Sequence, residues 1–137
     1  MIEPSTAEAI VLDRLLGSPV ARSLGLAIDS IEPRSVRLRL PFAATNVTER
    51  TVIHGGVIAT LADVAAVATA VSGAKAAPSG GATSSLSITY LAPADGCDLI
   101  ATGIALRSGS RQHAIRVRIA GNDGAPVAEA LVQVVLV

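Results

Sequence analysis

The chain has 137 residues, half of them apolar and 16% charged, enough for one compact domain that buries about two thirds of its extended surface and too little for two. Eleven basic side chains against eleven acidic ones leave no net charge, and no run of one sign concentrates a local field, so a nucleic acid backbone finds no basic footprint. Phe42 and Tyr90 are the only aromatic residues, which argues against base-stacking platforms and aromatic cages. Cys97 is the single cysteine and His54 and His113 lie far apart, so neither an intramolecular disulfide nor a metal site is expected. A reduced, cytosolic setting fits, and the opening MIEPSTAEAI, with Glu3 and Glu8 and no basic stretch before an apolar one, does not read as a signal peptide.

Ser5 followed by Glu8 has the spacing of a capping box, and Ala9, Ile10, Leu12, Leu15 and Leu16 recur at helical intervals until Gly17 and Pro19 stop the pattern. A short amphipathic helix is expected in an N-terminal extension, residues 1–20, of a single domain spanning 1–137. From Val36 the period changes to two: Val36, Leu38, Leu40 and Phe42 alternate with Arg37, Arg39 and Pro41, as in a strand with one wet face. Leu24 to Glu32 is its expected partner strand. Val57 to Val71 is rich in alanine and carries one charge, Asp63, and reads as a buried helix. At about 1.5 Å per residue it would cover only about 22 Å of a roughly 30 Å hydrocarbon layer, with Asp63 at its centre, which disfavours a membrane span.

After a loop from Ser72 to Gly81 come four strand-like segments, Thr83 to Leu91, Asp98 to Arg107, Arg111 to Ala120 and Val127 to Val137, separated by turn signals at Pro93 with Asp95-Gly96, Ser108-Gly109-Ser110 and Asn122-Asp123-Gly124. They are expected to be consecutive antiparallel neighbours. The closing AEALVQVVLV is apolar on both faces near its end, and an unpaired strand of that kind needs a second subunit to cover it. The sum is an α+β design in which a curved antiparallel sheet wraps a long helix.

Asp63 is the most informative residue, because a carboxylate within an uncharged helix is costly unless paired, solvated at a cleft or protonated. Projection at 100° per residue sets Val57, Leu61, Val64, Val67 and Val71 on one face and Asp63 with Ala59, Ala66 and Ala70 on another. A structural acid bonded to a neighbouring strand or loop is the alternative. His54-Gly55-Gly56 precedes the helix, where backbone N–H groups lack intrahelical acceptors and the helix dipole adds partial positive charge. Such a mouth polarises a carbonyl oxygen; the plainer reading is a tight strand-to-helix turn. Gly55 and Asp63 stand about 12 Å apart along one helix, too far to act on one carbonyl group. Two antiparallel helices across a twofold axis would instead build two composite sites.

The strings HGGVIATLADVAAVATA, TSSLSITYLAPA, RSGSRQ and PVAEALVQV resemble the hot-dog-fold acyl-CoA thioesterases of the phenylacetate-degradation (PaaI-like) type, from about Leu24 to the C-terminus. The strongest element is HGG with an aspartate nine residues after the histidine. The resemblance implies a homodimer with sites at the interface, commonly a homotetramer, and hydrolysis of an acyl-CoA or aryl-CoA thioester. It implies that the Gly55 N–H binds the thioester oxygen, that Asp63 of the other subunit is base or nucleophile, that Thr83 lies near the attacking water and that His54 orients the thioester end. It also implies that coenzyme A, part of the substrate rather than a cofactor, passes Gly56 and lies over Arg107, Ser108, Gly109, Ser110, Arg111 and Gln112 with Tyr90 nearby; a solvated hairpin tip is the alternative for the two arginines. The matching asparagine usually stands six residues before the histidine, where this chain has Thr48; Asn46, eight before it, is the candidate for that catalytic role, the alternative being that the longer loop has lost it. A non-hydrolytic acyl-CoA-binding protein on the same fold is the competing reading. Arg37, Arg39, Arg116 and Arg118 are expected on wet strand faces, and His113 as an ordinary strand residue.

Overall fold

The computed structural model describes all residues, Met1–Val137. Its first helix, α1 (Pro4–Ile10), continues into a π-helical turn over Val11–Leu15, and α2 (Pro19–Leu24) follows. The Ser5–Glu8 capping box does not form: Glu3 occupies the cap position, without a side-chain bond, and Pro4 opens the helix. Proline suits the first turn because its φ is preset and its missing N–H would have no acceptor there. For the same reason Pro19 starts α2 rather than ending helical structure. Gly25 (φ 70°) then turns the chain into β1 (Ala27–Glu32), which therefore begins later than Leu24.

β1 and β2 (Ser35–Leu40) form an antiparallel pair. A 3₁₀ turn at Ala44–Asn46 leads to two short strands, β3 (Val47–Glu49) and β4 (Val52–Ile53), and then to the long helix α3 (Gly55–Ser72). Four long strands complete the chain: β5 (Gly81–Tyr90), β6 (Leu99–Ser108), β7 (Gln112–Gly121) and β8 (Pro126–Leu136). The main sheet has the order β1-β2-β6-β7-β8-β5, antiparallel throughout. β5 and β6 are thus not neighbours as expected; β6 pairs with β2, and β5 lies at the far edge against β8. The final strand is not unpaired either, being held by β7 on one side and β5 on the other. The two edges of the sheet are β1 and β5, and the residues of β5 are mostly exposed.

The sheet curves around α3, which packs on β2, β6, β7 and β8. Long and apolar enough to cross a membrane by composition, α3 is here the core helix, with Leu61, Ala62, Ala65, Ala66 and Thr69 fully buried. A Cβ at Gly103 on β6 would stand 2.0 Å from Thr69 Oγ1 and 3.2 Å from the Ala65 carbonyl oxygen, so a residue without one is needed for helix and sheet to meet at this distance. The buried face of α3 differs from the one its helical projection gives. Ala66 and Ala70 are buried with Leu61, whereas Val57, Val64 and Val67 are half-buried like Asp63. Alanine faces the sheet because small side chains permit close helix–sheet approach; the valines and Asp63 share the opposite, more open side.

On the outer face of the sheet Ile104, Arg116 and Leu131 stand in one row across β6, β7 and β8. The strand arginines are wet as expected and paired: Arg37 and Arg39 with Asp29, and Arg116 and Arg118 with Glu129.

Candidate active site

Two groups of side chains sit at different levels of α3. At the helix mouth, His54 is the cap residue: its Nδ1 accepts from the Gly56 N–H at 2.8 Å, and its carbonyl accepts from Val57 and Ile58. An accepting Nδ1 leaves the proton of a neutral ring on Nε2, which remains a free donor. Gly55 has no acceptor for its N–H within the helix, and its carbonyl accepts from the Tyr90 hydroxyl at 2.6 Å. A Cβ at Gly55 would lie 3.3 Å from the tyrosine ring, so the glycine lets Tyr90 seat against the mouth. The Asn46 carbonyl accepts from the His54 N–H at 2.8 Å, and in the turn between β3 and β4 Arg50 adopts φ 53°. Thr48 is exposed.

Two turns further along, half-buried Asp63 accepts at Oδ1 from the Thr83 hydroxyl at 2.5 Å. The register between β5 and β8 shifts between Thr83 and Ser85, a bulge of the kind that re-aims a side chain beside a site. Asp63 makes no ion pair and lines a cleft with Arg14, Leu15, Ser18, Val64 and Val67. Arg14 directs its guanidinium away, donating to the Pro78 and Ser79 carbonyls at 3.0 and 2.7 Å. These N-terminal residues were not anticipated as part of a site. Their helical spacing explains their packing on α3 but carries no signal of which part of α3 they cover.

The β6–β7 hairpin tip is near the level of Thr83, since His113 on β7 and Thr83 on β5 both pair with Val134. Tyr90 pairs with Ala128 at the other end of β8. Within one chain, therefore, Tyr90 does not lie near the segment Arg107 to Gln112; β5 carries Thr83 and Tyr90 to opposite ends of the sheet. Arg107, Gly109, Ser110, Arg111 and Gln112 line a polar cleft together with His113 and Gln133. His113 is not an ordinary strand residue: it is buried, and neither its Nδ1 nor the neighbouring Ser108 hydroxyl has a hydrogen-bond partner in the protein. Burial, and then the charge of Lys75, holds its imidazole below the ordinary value of 6.5. No three His, Cys, Asp or Glu side chains converge as a metal site would require.

A long helix wrapped by a six-stranded antiparallel sheet defines the hot-dog class. Residues 51–128, more than half of the chain, match the family model of the Thioesterase superfamily; the chain belongs to that superfamily. Solved structures agree on the fold. A thioesterase family protein from Silicibacter pomeroyi superposes with a TM-score of 0.88 at 22% identity, covering 96% of this chain and 98% of its own. The Escherichia coli PaaI protein of the phenylacetic acid degradation operon gives 0.86 at 20% identity, with 98% and 95% covered. A hypothetical thioesterase from Streptococcus pneumoniae, crystallised with coenzyme A, gives 0.73 at 20% identity, with 82% and 85% covered. No protein of curated function matches the chain in sequence.

Proposed function

We propose that the protein hydrolyses an acyl-CoA thioester as a homodimer, with Asp63 and Thr83 of one copy facing His54, Gly55 and Tyr90 of the other. The observation that carries this reading is the half-buried Asp63 carboxylate, bonded to Thr83 and open to a cleft, on the same helix as the Gly55 mouth yet about 12 Å from it. The free edge of β5 supports the assembly. Antiparallel pairing of two copies of β5 about Leu86 and Ser87 sets Thr83 of one opposite Tyr90 of the other. Asp63 is bonded to the first and Gly55 to the second, so the same symmetry joins acid and helix mouth into one site and removes an exposed strand edge.

In this site the Gly55 N–H and the helix dipole stabilise negative charge growing on the thioester oxygen. Asp63 either takes a proton from the water that attacks the carbonyl carbon or attacks it directly, giving a mixed anhydride that water then opens. By either route the C–S bond breaks, sulfur leaves as the coenzyme A thiol and the acid is released. The Thr83 hydroxyl fixes one carboxylate oxygen, and the Nε2–H of His54 is available to the thioester end. Arg107 and Arg111 supply positive charge for the phosphates of coenzyme A.

The test is thiol release from an acyl-CoA panel by the native protein and by Asp63→Asn, for which a fall of about a hundredfold or more is expected. Near-native turnover in the variant removes Asp63 from the reaction. Tight acyl-CoA binding without thiol release by the native protein makes it a binding protein instead. Mixing Asp63→Asn with Gly55→Val, each inactive alone, restores activity by subunit exchange if sites are shared.

A further inference from the structure

We infer, on the thioesterase reading above, that the acyl group is an unbranched aliphatic chain of medium length, lying in a groove that leaves Asp63 along α3 beneath the N-terminal segment. Two clefts, each about 150 Å³, meet there and share Arg14, Leu15 and Val67 as walls. The first opens at Asp63; the second continues past Val71 to Gly80, Gly81 and Leu136. Val64, Val67 and Val71 are successive steps along one stripe of α3, so the floor runs away from the Gly55 mouth.

The lining defines the chemistry. Beyond the mouth the groove presents Ile10, Leu15, Val67, Val71 and Leu136, with no aromatic side chain, so an aryl group would find none of the ring-on-ring contacts that favour it. Arg14, the one cation, is engaged by the Pro78 and Ser79 carbonyls and offers its stem to the groove, which leaves nothing to receive a terminal carboxylate. Those bonds also fix the far wall, which Ser79 secures by donating its N–H to the Val137 carbonyl at 2.6 Å. The groove therefore has a definite length. Asp63 to Val71 is eight residues of helix, about 12 Å. An extended chain advances about 1.3 Å per carbon, from single bonds near 1.5 Å in staggered conformation. Eight to ten carbons, roughly, fill it.

The experiment uses S-alkyl-CoA thioethers, which cannot be hydrolysed, as binding probes for the full-length protein in a series from butyl to hexadecyl, with S-phenethyl-CoA alongside. Affinity is expected to rise by up to about fourfold per methylene and to stop rising at about eight to ten carbons. Val67→Phe, which fills the groove, moves that break to shorter chains and lowers the octyl-to-butyl affinity ratio by about tenfold or more. Leu15→Ala, which opens it, moves the break to longer ones. Affinity indifferent to chain length, a break that neither substitution moves, or S-phenethyl-CoA binding more tightly than S-octyl-CoA overturns the groove. A chain-length break in a protein that releases no thiol from any acyl-CoA retains the groove and removes hydrolysis, so the two readings fail separately.

Discussion

Thr83→Val is the sharpest perturbation of the proposed reaction, because valine keeps the shape of threonine and removes only the hydroxyl that donates to Asp63 Oδ1 at 2.5 Å. Hydrogen bonds to charged groups contribute about 1.5–3 kcal/mol. Both partners are half-buried, so the lower end applies, and about 1.4 kcal/mol is a factor of ten in rate. We therefore expect kcat to fall about tenfold with KM little changed, and the loss to be recovered by Thr83→Ser. Stability should fall by about 1.5 kcal/mol, the contribution of that one bond, with little added from packing because β5 is a largely exposed edge strand. Steady-state kinetics by thiol release and urea unfolding measure the two quantities. In an Asp63→Asn background, Thr83→Val should add almost nothing, because the bond then has no carboxylate to position. Full activity in Thr83→Val, or an equal further loss in the double variant, would refute a role exercised through Asp63.

Two further outcomes test the fold around the site. Gly103→Ala brings a methyl group to 2.0 Å from Thr69 Oγ1 and should cost about 1–3 kcal/mol in urea unfolding, part of it recovered by Thr69→Ala; an unchanged midpoint would mean that α3 and β6 are not in close contact. Because His113 titrates below 6.5 in the fold, the unfolded chain binds more protons beneath that pH, so stability is full above 6.5 and declines as pH falls toward the lower folded value. His113→Leu should flatten the drop in Tm between pH 7 and 5.5; an unaltered slope would locate the sensitivity elsewhere.

The local pattern determined the elements. The alternation at Val36 to Leu40, the alanine-rich run around Asp63 and the turn residues at Ser108-Gly109 and Asn122-Asp123-Gly124 marked out β2, α3, β6, β7 and β8 to within a residue or two, because side-chain period and turn chemistry are properties of short stretches. The spacing of His54, Gly55 and Asp63 along one helix was likewise legible, since a helix converts residue number directly into distance. Pairing was not. That β6 joins β2 while β5 crosses to β8 depends on contacts distant in sequence, and this decides that β5 is an edge strand. Which side of α3 faces the sheet was also settled only by packing: Gly103 admits the alanine side closely and leaves Val64, Val67 and Asp63 for the N-terminal helices to cover. The partnership of Asp63 with Thr83, of Gly55 with Tyr90 and of Arg14 with the loop before β5 arises where separate elements converge. No periodicity within a single segment encodes such a meeting.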